Sequence, residues 1–143
     1  MTRLAAVPAS LARSLALVAG LLAAPPGHAQ DAPLSGAEFD ALTRGKTFHY
    51  GAGGAPYGAE EYLDDRRVIW SFLDGACKTG HWFERGDMIC FVYEDTPEPQ
   101  CWSFFSGPGG LVARYRNDPA QTTLYELSRT SEPMACPGPD VGV

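Results

Sequence analysis

The sequence predicts a mainly β protein: a small antiparallel meander of about eight short strands, closed or nearly closed into a barrel, with one short N-terminal helix. Three observations predict it. Short apolar segments recur at 46–50, 59–63, 67–73, 77–83, 88–94, 101–106, 110–116 and 122–129. Turn chemistry separates them, and no helical crossover falls between them, which leaves antiparallel hairpins as the connection. Four cysteines follow an apolar leader, and an even thiol count suits a bridged, exported domain.

Residues 1–29 read as a cleavable signal peptide. Arg3 and Arg13 are the only charges of the leader, and the stretch from Ser14 to Ala24 is apolar and uncharged. Pro25-Pro26-Gly27 would stop a helix, and Gly27-His28-Ala29 places small residues at the −3 and −1 positions of a cut after Ala29. The apolar stretch is shorter than the about 20 residues a bilayer requires, and no cysteine lies near the cut, so no membrane anchor is expected. Residues 30–143 are then a single domain in the periplasm or outside the cell. Without the two leader arginines, nine basic residues face 17 acidic ones, a net charge of −8 against −6 for the whole chain. Such a surface disfavours nucleic acid and anionic lipid, both of which call for a basic patch.

After a tether at 30–34, Ser35-Gly36-Ala37-Glu38 has the form of a capping box. Phe39 and Leu42 share a face of the helix that follows, over about 36–44, and Gly45 fits its left-handed C′ position. A helix this short is unstable alone, so Phe39 and Leu42 must dock on the strands. Gly51 to Gly58 reads as a glycine-rich loop, and Asp64 to Arg67, Asp74-Gly75 and Glu84 to Asp87 as polar turns. Thr96-Pro97-Glu98-Pro99 and Gly107 to Gly110 read as further breaks. The tail from Cys136 is expected to be extended and irregular.

Tyr62-Leu63-Asp64 with Val68-Ile69 is echoed 20 residues later by Trp82-Phe83-Glu84 with Met88-Ile89, as in two hairpins built alike. In the middle strands, parity gives Trp82, Ile89, Phe91, Tyr93, Trp102 and Phe104 one face, and Phe83, Met88, Cys90, Cys101 and Phe105 the other. Both faces are apolar, and one bulge would exchange them, so parity alone leaves open which lines the barrel. Eight strands leave an interior just wide enough for side chains, and these aromatics are bulky enough to fill it.

A turn at Thr96-Pro97 would set Cys90 opposite Cys101, at the spacing a disulfide needs, and leave Cys77 for Cys136. Cys77–Cys90 with Cys101–Cys136, and Cys77–Cys101 with Cys90–Cys136, are the other connectivities. Metal binding is not expected: Cys77, His81 and Cys90 could fall near one another, but in an exported chain thiols this close oxidise to bridges. No cofactor is expected either. No G-x-S-x-G elbow accompanies His49 or His81, and the paired acids Glu60-Glu61, Asp64-Asp65 and Glu94-Asp95 point to opposite faces of a strand or lie in turns. No catalytic set is therefore expected.

Gly45-Lys46-Thr47-Phe48, Gly58-x-Glu60-x-Tyr62, Cys77-x-x-Gly80-x-Trp82, Ile89-Cys90-Phe91-x-Tyr93 and Cys101-Trp102-x-Phe104 together resemble a family of small secreted bacterial proteins of unknown function. The resemblance covers most of residues 35–105 and implies an exported antiparallel β domain, without an activity or catalytic residues to carry over. From charge and loops, the leading functional expectation is a non-enzymatic binder or inhibitor that recognises a basic periplasmic or extracellular protein. It would use the loops at 51–58, 96–100 and 106–110, with Tyr57, Glu60 and Glu98 as contacts. The runner-up is a lipocalin-like binder of a small apolar ligand inside the barrel, and a hydrolase comes third.

Overall fold

The computed structural model describes residues 32–118, 120 and 122–136. The expected leader and the residues after Cys136 lie outside the described residues. One helix, α1 (Gly36–Thr43), precedes eight strands: β1 (Lys46–Ala52), β2 (Ala55–Tyr62), β3 (Arg67–Ser71), β4 (Lys78–Arg85), β5 (Met88–Tyr93), β6 (Thr96–Gly107), β7 (Gly110–Tyr115) and β8 (Thr123–Thr130). Each strand pairs antiparallel with its neighbour in sequence, and β1 pairs antiparallel with β8 to close the barrel.

The predicted helix forms for the predicted reason. Ser35 Oγ accepts the Glu38 N–H, and the Glu38 carboxylate accepts the Ser35 N–H. Phe39 is fully buried, and its ring meets those of Tyr62, Trp82, Phe91 and Phe104 at centroid distances of 4.5–6.3 Å. The helix therefore plugs the barrel at the end holding the β2–β3, β4–β5 and β6–β7 turns. Leu34 N–H to Phe104 O (2.7 Å) and Gly36 N–H to Glu84 Oε1 (2.7 Å) fasten it there.

Parity resolves in favour of the first face. Trp82, Ile89, Phe91, Tyr93 and Phe104 belong to one buried core with Phe48, Tyr50, Tyr62 and Trp70. The echoed hairpins agree in their first halves, where Tyr62 and Trp82 both pack on Phe39. They slip by one in their second halves: Val68 and Ile89 are the fully buried residues, whereas the echo aligns Val68 with Met88.

Three expected loops are much shorter than the sequence suggests. The segment 51–58 is mostly strand: Ala52 pairs with Ala55, leaving Gly53-Gly54 as a two-residue turn. Both glycines have positive φ (55° and 84°), as a primed hairpin turn demands. The segment 96–100 belongs to β6, and Tyr93 pairs with Thr96 around Glu94-Asp95. Prolines fit here because the β6–β7 ladder begins only at Trp102 with Tyr115. Beyond it Asn117 takes over, accepting the Cys101 N–H (2.8 Å) and donating to Pro99 O (2.9 Å), so Pro99 leaves no partner short of a donor. The third break narrows to Pro108-Gly109.

Cys90 and Cys101 are paired across β5 and β6, and they form one disulfide. Cys77 and Cys136 form the other, with Cα atoms 5.8 Å apart. After β8 the chain runs as a strap over the outside of β1 and β2, where Thr47 Oγ1 donates to Glu132 O and Met134 N–H to Glu61 Oε2, before it reaches Cys77. The two bridges indicate an oxidising, extracytoplasmic environment. Among the described residues no helix is long and apolar enough to cross a membrane.

Candidate functional site

The aromatic side chains do not fill the barrel throughout. A cavity of about 70 Å³ remains in the barrel, with Tyr57, Phe72, Lys78 and Gln100 among the residues that line it. Two features of the sequence leave it there. Ala113 and Leu124 present short side chains from β7 and β8. Gly58 lets the Trp70 ring lie flat on β2, since a Cβ at 58 would sit 2.3 Å from that ring. The Trp70 ring is thus drawn back against the barrel wall.

At the mouth, Tyr57, Trp70 and Phe72 form an aromatic triangle with centroid distances of 5.3–6.1 Å. Phe72 and its neighbour Leu73 are each about half exposed, at 48% and 49%. Leu73 also holds a left-handed backbone conformation, φ 64°, which an L side chain rarely adopts. Across the opening Lys78 Nζ lies 5.5 Å from the Phe72 ring centroid and 2.5 Å from Asp95 Oδ2. The ammonium beside it holds the Asp95 carboxyl below the usual carboxylate range.

Deeper in, the chemistry converges on Glu60. It lies on β2 two residues before Tyr62 and shares its inward face, 3% exposed. Tyr93 Oη donates to Glu60 Oε2 (2.8 Å), while Oε1 is buried with no hydrogen-bond partner among the described residues. Burial outweighs the tyrosine's hydrogen bond and pushes the Glu60 pKa up to about 8, so the carboxyl is mostly neutral at neutral pH. Tyr50 and Tyr62 join their hydroxyls at 2.9 Å on the same wall, and burial raises both pKa values. Phe91 and Trp102 complete the lining. At about 70 Å³ such a site can take a small apolar group rather than a whole ligand, with one hydrogen-bonding carboxyl at its base.

The residues expected to meet a partner are not brought together. Tyr57 is at the rim of the cavity and 37% exposed, while Glu98 is exposed on β6, four strands round the barrel. Glu60 is not a surface contact: its inward parity on β2 carries it into the barrel, away from any loop. The expectation of a filled interior also fails: a cavity remains among Tyr50, Trp70, Tyr93 and Trp102, where β7 and β8 contribute only Ala113 and Leu124. Trp70, Tyr50 and Tyr93 escaped attention as site residues, although their parity with Phe48 and Tyr62 was readable. Cys77 and Cys90 lie in separate bridges and His81 is exposed on β4. Among the described residues no group of His, Cys, Asp and Glu could hold a metal ion.

Compared with known protein families, curated proteins and solved structures, the chain matches none.

Proposed function

We propose that this protein binds a small, mainly apolar ligand with one end inside its barrel and the rest at the open mouth, since a cavity of about 70 Å³ is smaller than a whole ligand. The observation that carries the reading is the cavity itself: it is walled by aromatic rings, closed by α1 at one end and open at the other, with a buried carboxyl at its base. Concave apolar sites with a few converging polar groups are the usual form of small-molecule sites, and barrel mouths are a common place for them. The exposed ring of Phe72 gives an entering ligand an apolar threshold. Export through a cleavable leader to the periplasm or beyond belongs to the same proposal, and N-terminal sequencing of exported protein checks it by a start near Gln30.

Trp70 and Trp102 line the cavity, so their fluorescence reports occupancy. Titration with 1-hexanol, whose chain is narrow and which does not absorb in the tryptophan range, is expected to change that fluorescence saturably. Ala113→Phe and, separately, Leu124→Phe are expected to remove the change while the far-ultraviolet circular dichroism is preserved. Unaltered 1-hexanol binding by both folded variants would defeat the proposal.

Recognition of a basic macromolecular partner is the second reading, supported by the acidic charge and by exposed Tyr57 and Glu98. Its test is capture of basic extracellular proteins at low salt, where charge attraction is strongest.

A further inference from the structure

An apolar pocket alone has no use for a carboxyl at its base. Glu60 is buried, one of its oxygens accepts from Tyr93 and the other has no hydrogen-bond partner among the described residues, and burying an unsatisfied polar oxygen costs about 1–3 kcal/mol. The vacant oxygen calls for a donor. Aromatic rings, those of Tyr50, Tyr62, Trp70, Phe91 and Tyr93, line the same cavity, and such rings attract a cation that reaches their faces. The cation of the chain closest at hand, Lys78, lines the same cavity but is held at the mouth by Asp95. We propose that the cavity recognises ligands with a protonated amine, whose N–H the free Glu60 oxygen accepts inside the ring of aromatic side chains, while the apolar body rests on Tyr57, Trp70 and Phe72. This inference rests on the barrel-ligand reading and names its ligand class.

The chemistry is a binding step with a proton balance. Glu60 enters it mostly protonated, and an ammonium ion brings its own proton. The carboxyl therefore releases one proton to solvent as the ammonium–carboxylate pair forms, and no covalent bond changes. The groups facing Glu60 leave it in control of this titration. Tyr50 comes from β1, Tyr57 and Tyr62 from β2, Lys78 from β4 and Tyr93 from β5; β3, β6 and β7 contribute Trp70, Gln100, Trp102, Phe104 and Ala113, and β8 contributes Leu124. Glu126 and Arg129 of β8 act on Tyr50 from their mutual ion pair. The buried tyrosines lose their protons only well above the range in which Glu60 titrates.

The test is calorimetric titration of the full chain with 3-phenylpropylamine and with 3-phenylpropanol, which share an apolar body, between pH 6 and pH 8.5. The amine is expected to bind at least about tenfold tighter than the alcohol at pH 8. Its affinity should rise by close to tenfold per pH unit below the Glu60 pKa, with about one proton released per ligand, read from buffers of different ionisation enthalpy. Glu60→Gln should bring the amine to within about threefold of the alcohol, while Glu98→Gln, on the outer surface, should leave the preference intact. If the alcohol binds as tightly as the amine, or amine binding releases no proton, the amine inference is overturned and the barrel reading stands. If neither compound binds, both fall. The proton count is measured on the unsubstituted protein, so it decides the matter even where Glu60→Gln does not fold.

Discussion

Glu60 makes stability depend on pH in the direction opposite to an ordinary paired carboxylate. Its folded pKa, about 8, lies above the value of 4.5 for a solvated glutamate, so the folded state holds its proton more tightly. The associated stability is complete below about pH 4.5 and is lost as pH rises towards 8, by on the order of 5 kcal/mol in all. Glu60→Gln keeps an acceptor for Tyr93 without the charge. The variant and the parent are expected to unfold at similar urea midpoints at pH 5, with the variant more stable by a few kcal/mol at pH 9. Parallel pH profiles would contradict this. Phe39 is the other decisive residue: Phe39→Ala removes a fully buried ring with four aromatic neighbours and is expected to cost about 3–5 kcal/mol by urea denaturation. The sequence announces Phe39 clearly, because a two-turn helix with a capping box must bury something. It disguises Glu60, because Glu60-Glu61 looks like a pair of surface acids. Only counting by twos from Tyr62 shows that one of them points inward.

At the scale of elements, polar turns and aromatic runs read directly onto the hairpins, and Cys90 opposite Cys101 followed from strand pairing. The three loops were overestimated because glycine and proline signal a break without giving its length. Gly53-Gly54 needs only two residues to reverse the chain, and Pro97 and Pro99 are accommodated where the β7 ladder has ended. The bridge that pins the tail, Cys77–Cys136, was legible from the cysteine pairing, but the strap's course was not, since nothing local in 131–136 indicates that it crosses β1 and β2. It is tied to Cys77 in the loop that carries Phe72, and the paired cysteines are 59 positions apart in sequence. Chain entropy assigns this bridge about 4 kcal/mol and the bridge of separation 11 about 3 kcal/mol. Replacing Cys77 and Cys136 together by serine is therefore expected to lower unfolding stability by about 4 kcal/mol. It should also speed amide exchange at residues 72–77 more than in β5 or β6. Uniform acceleration over the barrel would show instead that the strap does not hold that loop in particular.

For the whole molecule, seven pairings join neighbours in sequence and one, β1 with β8, joins Thr47 to Thr130. That last pairing has a consequence for how the protein meets other chains. A sheet with free margins offers rows of unpaired amides to any extended peptide. Here each strand has a neighbour on both sides over part of its length, and Tyr125, half exposed on β8, pairs with both Gly51 and Val112, while Leu127, equally exposed, sits at the register shift opposite β1. Ending the chain after Asp118 in a Cys77→Ser background removes β8 and bares the flanks of β1 and β7. The truncated chain is expected to form thioflavin-positive aggregates under conditions where the intact protein, and the full-length Cys77→Ser/Cys136→Ser variant, stay dispersed. Closure is then what licenses a greasy outer strand: no full-length margin is left for strand addition, and contact with the outside passes mainly through side chains and the open mouth.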